Sequence, residues 1–322
     1  MRSTMLGGSD NSGNPDGFSG GSMRRILVIT LWTVFFLSIS ACSYIVEKRC
    51  GEDTLPLPGI AESFDGVPIS YEQSGDGEVA LVFIHGWSCD SRYWRRQVPF
   101  FAGNYRVITI DLAGHGHSGL GRQRYTMKSF GRDVQAVVDA VHVNTVILIG
   151  HSMGGAVIAE AARLMPDKVI GLVGVDTLDN VEYPLKREEL EQMVMPFERD
   201  FPAQVRQFVG EMIVPGTDPE LVQWIADDMA AAPQQAAISS FTAYLTQYVT
   251  GEAAAMFEEI HVPVYSVNCG LWPVDAEANR RHMAQFDYTV MKDVGHFLML
   301  ERPDEFNTVL KETIDKIVSP RQ

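Results

Sequence analysis

From Ala80 onward the chain alternates short, nearly unbroken apolar runs with longer stretches of helical spacing. Val82-Phe83-Ile84, Val107-Ile108-Thr109-Ile110, Val146-Ile147-Leu148-Ile149 and the run from Val169 to Val175 are of the first kind. A segment apolar at successive positions buries both of its faces. That suits a strand in a parallel sheet covered by helices on either side. Between the second and third runs, Phe130, Val134, Val137, Val138 and Val141 recur at helical spacing within Tyr125 to Val141. The alanine-rich stretch from Gly155 to Met165 stops at Pro166, as a helix does. Val262 to Val267 and Tyr288 to Val294 read as two more strands, and Pro303 to Ile317 as a closing helix. The pattern predicts an α/β class fold, a doubly wound and mostly parallel sheet.

The series is interrupted from roughly Leu178 to Glu259, where helical patterns occur without a convincing strand and break at Pro215-Gly216 and Pro233. This predicts a helical lid inserted into the sheet domain, residues 178–259, between core segments 61–177 and 260–318. The insertion is rich in methionine and aromatic side chains, among them Met193, Met195, Phe197, Phe208, Met212, Trp224, Met229, Phe241 and Tyr244. These would line an adaptable apolar pocket or, as the simpler account has it, pack the lid against itself.

The beginning of the chain follows different rules. Residues 1–22 are too polar to pack. Met23-Arg24-Arg25 then precedes an apolar run, Ile26 to Ile39, which is short for a membrane span and has the layout of a secretory signal. Residues 1–41 are therefore expected to be an extension plus signal peptide, and residues 42–60 a tether. The run closes on Ile39-Ser40-Ala41-Cys42, which resembles a bacterial lipobox. The resemblance implies cleavage before Cys42, lipidation of that cysteine, and export to the cell envelope as a membrane-anchored lipoprotein. Ser43 after it would favour the outer membrane in a Gram-negative cell.

Composition narrows the chemistry. At 322 residues and 46% hydrophobic, the chain can bury one large core, and its net charge of −15 argues against a nucleic-acid partner. Cys42, Cys50, Cys89 and Cys269 form no CxxC pair and the histidines no HExxH, so no metal or cofactor is expected. Cys50 and Cys89 would allow a disulfide in an oxidising compartment, with free buried thiols the equal alternative.

The pentapeptide Gly150-His151-Ser152-Met153-Gly154 directly follows an apolar strand and opens a helix. That context is a strand-to-helix elbow, which lifts a serine hydroxyl above the sheet. With it come His85-Gly86-Trp87, Asp111-Leu112-Ala113-Gly114-His115-Gly116-His117-Ser118 and Gly295-His296-Phe297, each after a strand. Together the four motifs resemble the α/β-hydrolase superfamily, in its lidded esterase, lipase and meta-cleavage-product hydrolase branch, over about Glu62 to Ile317.

The resemblance implies a serine hydrolase without a cofactor. Ser152 would be the nucleophile, His296 the base that a neutral hydroxyl needs, and the backbone amides of Trp87 and Met153 the oxyanion hole. His85, His115, His117 and His151 are read as loop and packing residues. Two acids compete for the second nitrogen of His296. Asp275, beyond the strand from Val262, is the expected one, although it arrives late after Gly270, and Asp176, after the preceding strand, is its rival. Related enzymes with Asp or Cys at the elbow are epoxide hydrolases, dehalogenases and dienelactone hydrolases, so Ser152 points instead to acyl transfer to water. The expected partner is a small, apolar ester. Carbon–carbon bond hydrolysis on the same fold and a non-catalytic, ligand-binding lipoprotein are the alternatives.

Overall fold

A computed structural model describes residues 56–319. The expected signal peptide, Cys42 and Cys50 lie outside the described residues. No helix among the described residues is long and apolar enough to cross a membrane.

Among the described residues, eight strands form one sheet: β1 (Leu57–Glu62), β2 (Pro68–Ser74), β3 (Ala80–Ile84), β4 (Arg106–Ile110), β5 (Val146–His151), β6 (Val169–Val175), β7 (Val264–Asn268) and β8 (Phe286–Val290). Their order across the sheet is β1-β2-β4-β3-β5-β6-β7-β8. β2 runs antiparallel to both β1 and β4, and every other pairing is parallel. β3 and β5 at the centre are buried at every position, which is why their sequences are apolar without alternation. β1 begins within the stretch expected to be a tether. β8 ends at Val290 rather than Val294, because after Met291 pairs with the carbonyl of Asn268 the chain turns through the left-handed Asp293 toward His296.

The helices are α1 (Val98–Phe101), α2 (Met127–Ala140), α3 (Gly154–Leu164), α4 (Arg187–Arg199), α5 (Phe201–Glu211), α6 (Pro219–Ala230), α7 (Gln234–Thr250), α8 (Glu252–Ala255), α9 (Ala276–His282), α10 (Leu298–Glu301) and α11 (Pro303–Val318). The Thr126 hydroxyl accepts from the Ser129 amide at 3.1 Å and caps α2, whose apolar stripe of Phe130, Val134, Val137 and Val138 is buried. α3 and α11 lie on opposite faces of the sheet. Ile158 of α3 packs at Gly150 of β5, and Ile317 of α11 at Gly171 of β6, whose side-chain directions are opposed. The segment between β6 and β7 holds α4 to α8 and no strand. Four of its phenylalanines converge on one ring of the sheet domain. Phe197, Phe201, Phe208 and Phe241 lie 5.0 to 6.1 Å from Trp87, whose indole N–H donates to the Ala237 carbonyl at 2.7 Å.

Candidate active site

Ser152 sits between β5 and α3 at a φ of +53°, a left-handed conformation that a residue with a side chain adopts only when its surroundings enforce it. Two backbone bonds do so. The Ser152 amide donates to Val175 at the end of β6, and the Ser152 carbonyl accepts from Gly155, each at 2.9 Å. Glycine is required on the helical side, since a Cβ at Gly154 would lie 2.9 Å from the carbonyl oxygens of both Ile84 and His85. The elbow is thereby pressed onto the end of β3. The loop after β3 is equally close, because a Cβ on Gly86 would come within 3.2 Å of the Ser152 Cβ. Trp87 follows Gly86, and Met153 precedes the first turn of α3, so both expected oxyanion donors flank the serine. Among the described residues no acceptor engages either amide.

His296 lies on the loop between β8 and α10. Its Nδ1–H donates to Asp176 Oδ2 at 2.5 Å, and both residues are buried. Asp176 follows β6 directly, in a left-handed conformation with φ of +46°. Its other oxygen accepts from the Cys269 amide at 2.7 Å, and the Cys269 thiol reaches Oδ2 at 3.2 Å. Burial and the adjacent Asp176 charge push the Cys269 thiol up, so it stays protonated and donates.

Asp275 does not meet the histidine. It caps α9, its carboxylate accepting from the Ala278 amide at 3.0 Å. The expectation that it orients His296 is therefore replaced by Asp176. The physical reason is that the chain from Cys269 to Val274 carries Asp275 to a helix start, where a carboxylate satisfies an otherwise unpaired amide.

Several groups without an assigned catalytic role hold the histidine loop. Glu301 accepts from the amides on both sides of His296, Gly295 at 3.1 Å and Phe297 at 3.2 Å, and takes the Thr217 hydroxyl at 2.7 Å. The His296 amide donates to Met212, just beyond α5 in the helical insertion, at 2.9 Å. His151 lies beneath, 3.0 Å from the His296 carbonyl. Burial lowers its pKa far below the usual histidine range, so the ring is neutral and its Nε2–H is the donor. His85 and His115 are likewise kept neutral by burial, His115 being lowered to about 3. His85 joins two loops, since its Nε2 accepts from the Leu112 amide at 3.0 Å. His85, His115 and His151 thus hold the loop and packing places read for them from the sequence, whereas Glu301 and Thr217 carried no signal there beyond proximity to the motifs.

Asp179 stands three residues beyond Asp176. Burial and the Asp176 charge raise it to about 6, opposed by a hydrogen bond of 2.6 Å from Asn268 Nδ2. Cys89 is a free, buried thiol, 3.3 Å from the Trp87 carbonyl. No group of three or more His, Cys, Asp or Glu residues placed to hold a metal occurs among the described residues.

Two cavities meet at Ser152 and His296. One of about 690 Å³ also reaches Asp176, Asp179, Tyr248 and Trp272, and the other, of about 190 Å³, reaches Trp87, Met153, Phe208 and Phe241. Met193, Met212, Met229 and Tyr244 also line cavities, whereas Trp224 packs on Tyr93, so the insertion's large side chains divide between lining and packing.

Comparison with known proteins identifies relatives and solved structures that share this fold. A stretch of 129 residues is 34% identical to the dihydrolipoyllysine-residue acetyltransferase component of the acetoin cleaving system of Pseudomonas putida, covering 40% of this chain but only 35% of that relative. The pimeloyl-[acyl-carrier protein] methyl ester esterase of Sodalis glossinidius is 27% identical over 204 residues, 62% of this chain and 77% of the relative. The structure of a thermophilic esterase from Thermogutta terrifontis superposes with a TM-score of 0.71, covering 82% of this chain and all of that one at 21% identity. Residues 81–309, from β3 into α11, match the model of the alpha/beta hydrolase family, and the chain belongs to that family.

Proposed function

We propose that the protein is a serine hydrolase of carboxylic esters, acting through an acyl-enzyme on Ser152. The observation that carries this reading is the buried pair of His296 and Asp176 at 2.5 Å, whose histidine lines the same two cavities as an elbow serine held at positive φ. A serine hydroxyl is a poor nucleophile at neutral pH and needs a base beside it. With Nδ1–H donated to Asp176, the imidazole keeps Nε2 free to accept the Ser152 proton.

Attack of Ser152 Oγ on the ester carbonyl forms a C–O bond and moves the proton to Nε2. The carbonyl oxygen takes the negative charge between the Trp87 and Met153 amides, the latter at the positive end of α3. Collapse breaks the bond to the alcohol oxygen, which leaves with the proton from His296. Water then repeats the sequence on the acyl-enzyme, giving the carboxylic acid and restoring Ser152.

The esterase among the relatives supports the choice of ester as substrate. The protein is further proposed to be exported and anchored through lipidated Cys42, a reading that rests on the Ile39-Ser40-Ala41-Cys42 sequence. The test of the activity is labelling by a fluorophosphonate probe together with hydrolysis of short-chain 4-nitrophenyl esters. Labelling that is lost in Ser152→Ala supports the mechanism, and absence of both labelling and hydrolysis in the wild-type protein refutes it.

A further inference from the structure

The two cavities at Ser152 differ in size, in exposure and in chemistry. The smaller, about 190 Å³, is walled by buried apolar side chains including Trp87, Met212, Met229 and Phe241. The larger, about 690 Å³, passes exposed Tyr183 and Trp272 and carries Asp179, Asn180 and Asp275, with no lysine or arginine in its wall. Both are bounded by Ser152, His296, Met193, Tyr244 and Leu245, so those last three side chains stand at the partition between them.

We infer that the partition sorts the two halves of an ester: a short apolar acyl group in the smaller cavity and a bulky alcohol without negative charge in the larger. This rests on the ester-hydrolase reading above. The assignment follows from where each catalytic group lies. The oxyanion donors Trp87 and Met153 line the smaller cavity, and Asp176, behind the histidine that must protonate the leaving oxygen, lines the larger. The alcohol also leaves first, and water enters by the path it vacates. The more exposed cavity is therefore the alcohol side, while the acyl group stays enclosed. An apolar cavity of roughly 150 Å³ suffices for benzene, so the smaller cavity accommodates an acyl group of about benzoyl or hexanoyl size. A carboxylate on the alcohol would face Asp179 and Asp275 with no basic side chain to receive it.

The test measures kcat/KM of the full chain on 4-nitrophenyl esters from acetate to dodecanoate, with benzoate alongside. Each methylene up to the limit is expected to raise kcat/KM by up to about fourfold. Beyond hexanoate, overfilling is expected to lower it by about tenfold or more before decanoate. Met229→Ala, or the milder Phe208→Leu should the first fail to fold, is expected to move the optimum to longer acids. A second arm compares the butanoyl esters of 4-hydroxybenzamide and 4-hydroxybenzoate, the carboxylate being expected to react several-fold more slowly, with a gap that narrows on adding salt. A profile that keeps rising to dodecanoate overturns the assignment, as does equal reaction of the two butanoyl esters. If Ser152 still takes the fluorophosphonate in that case, the serine-hydrolase reading survives. Loss of both labelling and turnover overturns the two together.

Discussion

Replacing Asp176 by Asn keeps the shape of the site and changes one proton. The Cys269 amide, 2.7 Å from Oδ1 of Asp176, can only donate, so the single oxygen of an asparagine at this position stays with it. The amide nitrogen then occupies the place of Oδ2 and presents N–H groups to His296 Nδ1, now 2.5 Å from a carboxylate oxygen. The imidazole answers by moving its proton to Nε2, where it can no longer accept one from Ser152. The same inversion in serine proteases costs about 10⁴ in kcat, equivalent to about 5.5 kcal/mol of barrier. The cost to folding is smaller, about 1 to 3 kcal/mol, since one hydrogen bond changes character in a buried site. Asp275→Asn is the control, because asparagine caps a helix about as well as aspartate and should retain more than about a tenth of the activity. The assay is steady-state hydrolysis of 4-nitrophenyl butanoate, corrected for folded protein by circular dichroism. If Asp176→Asn keeps a tenth of wild-type kcat, or Asp275→Asn loses as much as Asp176→Asn, the assignment of the acid is wrong.

Other consequences can be checked separately. Asp179 is raised from 3.8 to about 6, so its ionised form is disfavoured by folding. The wild-type protein should therefore lose up to about 3 kcal/mol of stability as pH rises from near 4 through 6, with no further change from this group above that. Asp179→Asn removes this slope, and urea titrations at pH 4 and pH 8 that show the same pH dependence in both proteins would refute it. Glu301→Ala frees the amides that bracket His296 and should lower kcat by about tenfold while destabilising the fold by about 1 to 3 kcal/mol. Unchanged kcat and Tm would show that the clamp is dispensable. Gly86→Ala places a Cβ 2.8 Å from His151 Nδ1 and must displace the Trp87 amide, with an expected loss of about a hundredfold in kcat at little change in KM. A loss confined to KM would argue against that amide as an oxyanion donor.

The central strands were legible because both of their faces are buried, so hydrophobicity alone marks β3, β5 and β6. β1 and β2 were not. β2 runs antiparallel between β1 and β4 with a mixture of buried and exposed positions, and β1 at the edge exposes Leu57 and Ile60 to 66% and 74%. A short, half-wet edge strand has too few constrained positions to separate its pattern from that of a tether. The places of Ser152 and His296 in the fold were readable because each is set locally, by the elbow in one case and the loop motif in the other.

The acid was a different problem. Asp176 and Asp275 both follow strands that end on the same edge of the sheet, and distance along the chain does not say which carboxylate reaches the histidine. That is decided by two donors 93 and 120 residues away, the Cys269 amide and His296 Nδ1. The first comes within reach only because β7 pairs beside β6, where the Asp176 amide itself donates to Val267. The end of β7 thus contributes the hydrogen bonds that fix the carboxylate, while the end of β6 contributes the carboxylate. A position that looks vacant when the β7 motif is read alone is occupied once the two strand ends are taken together.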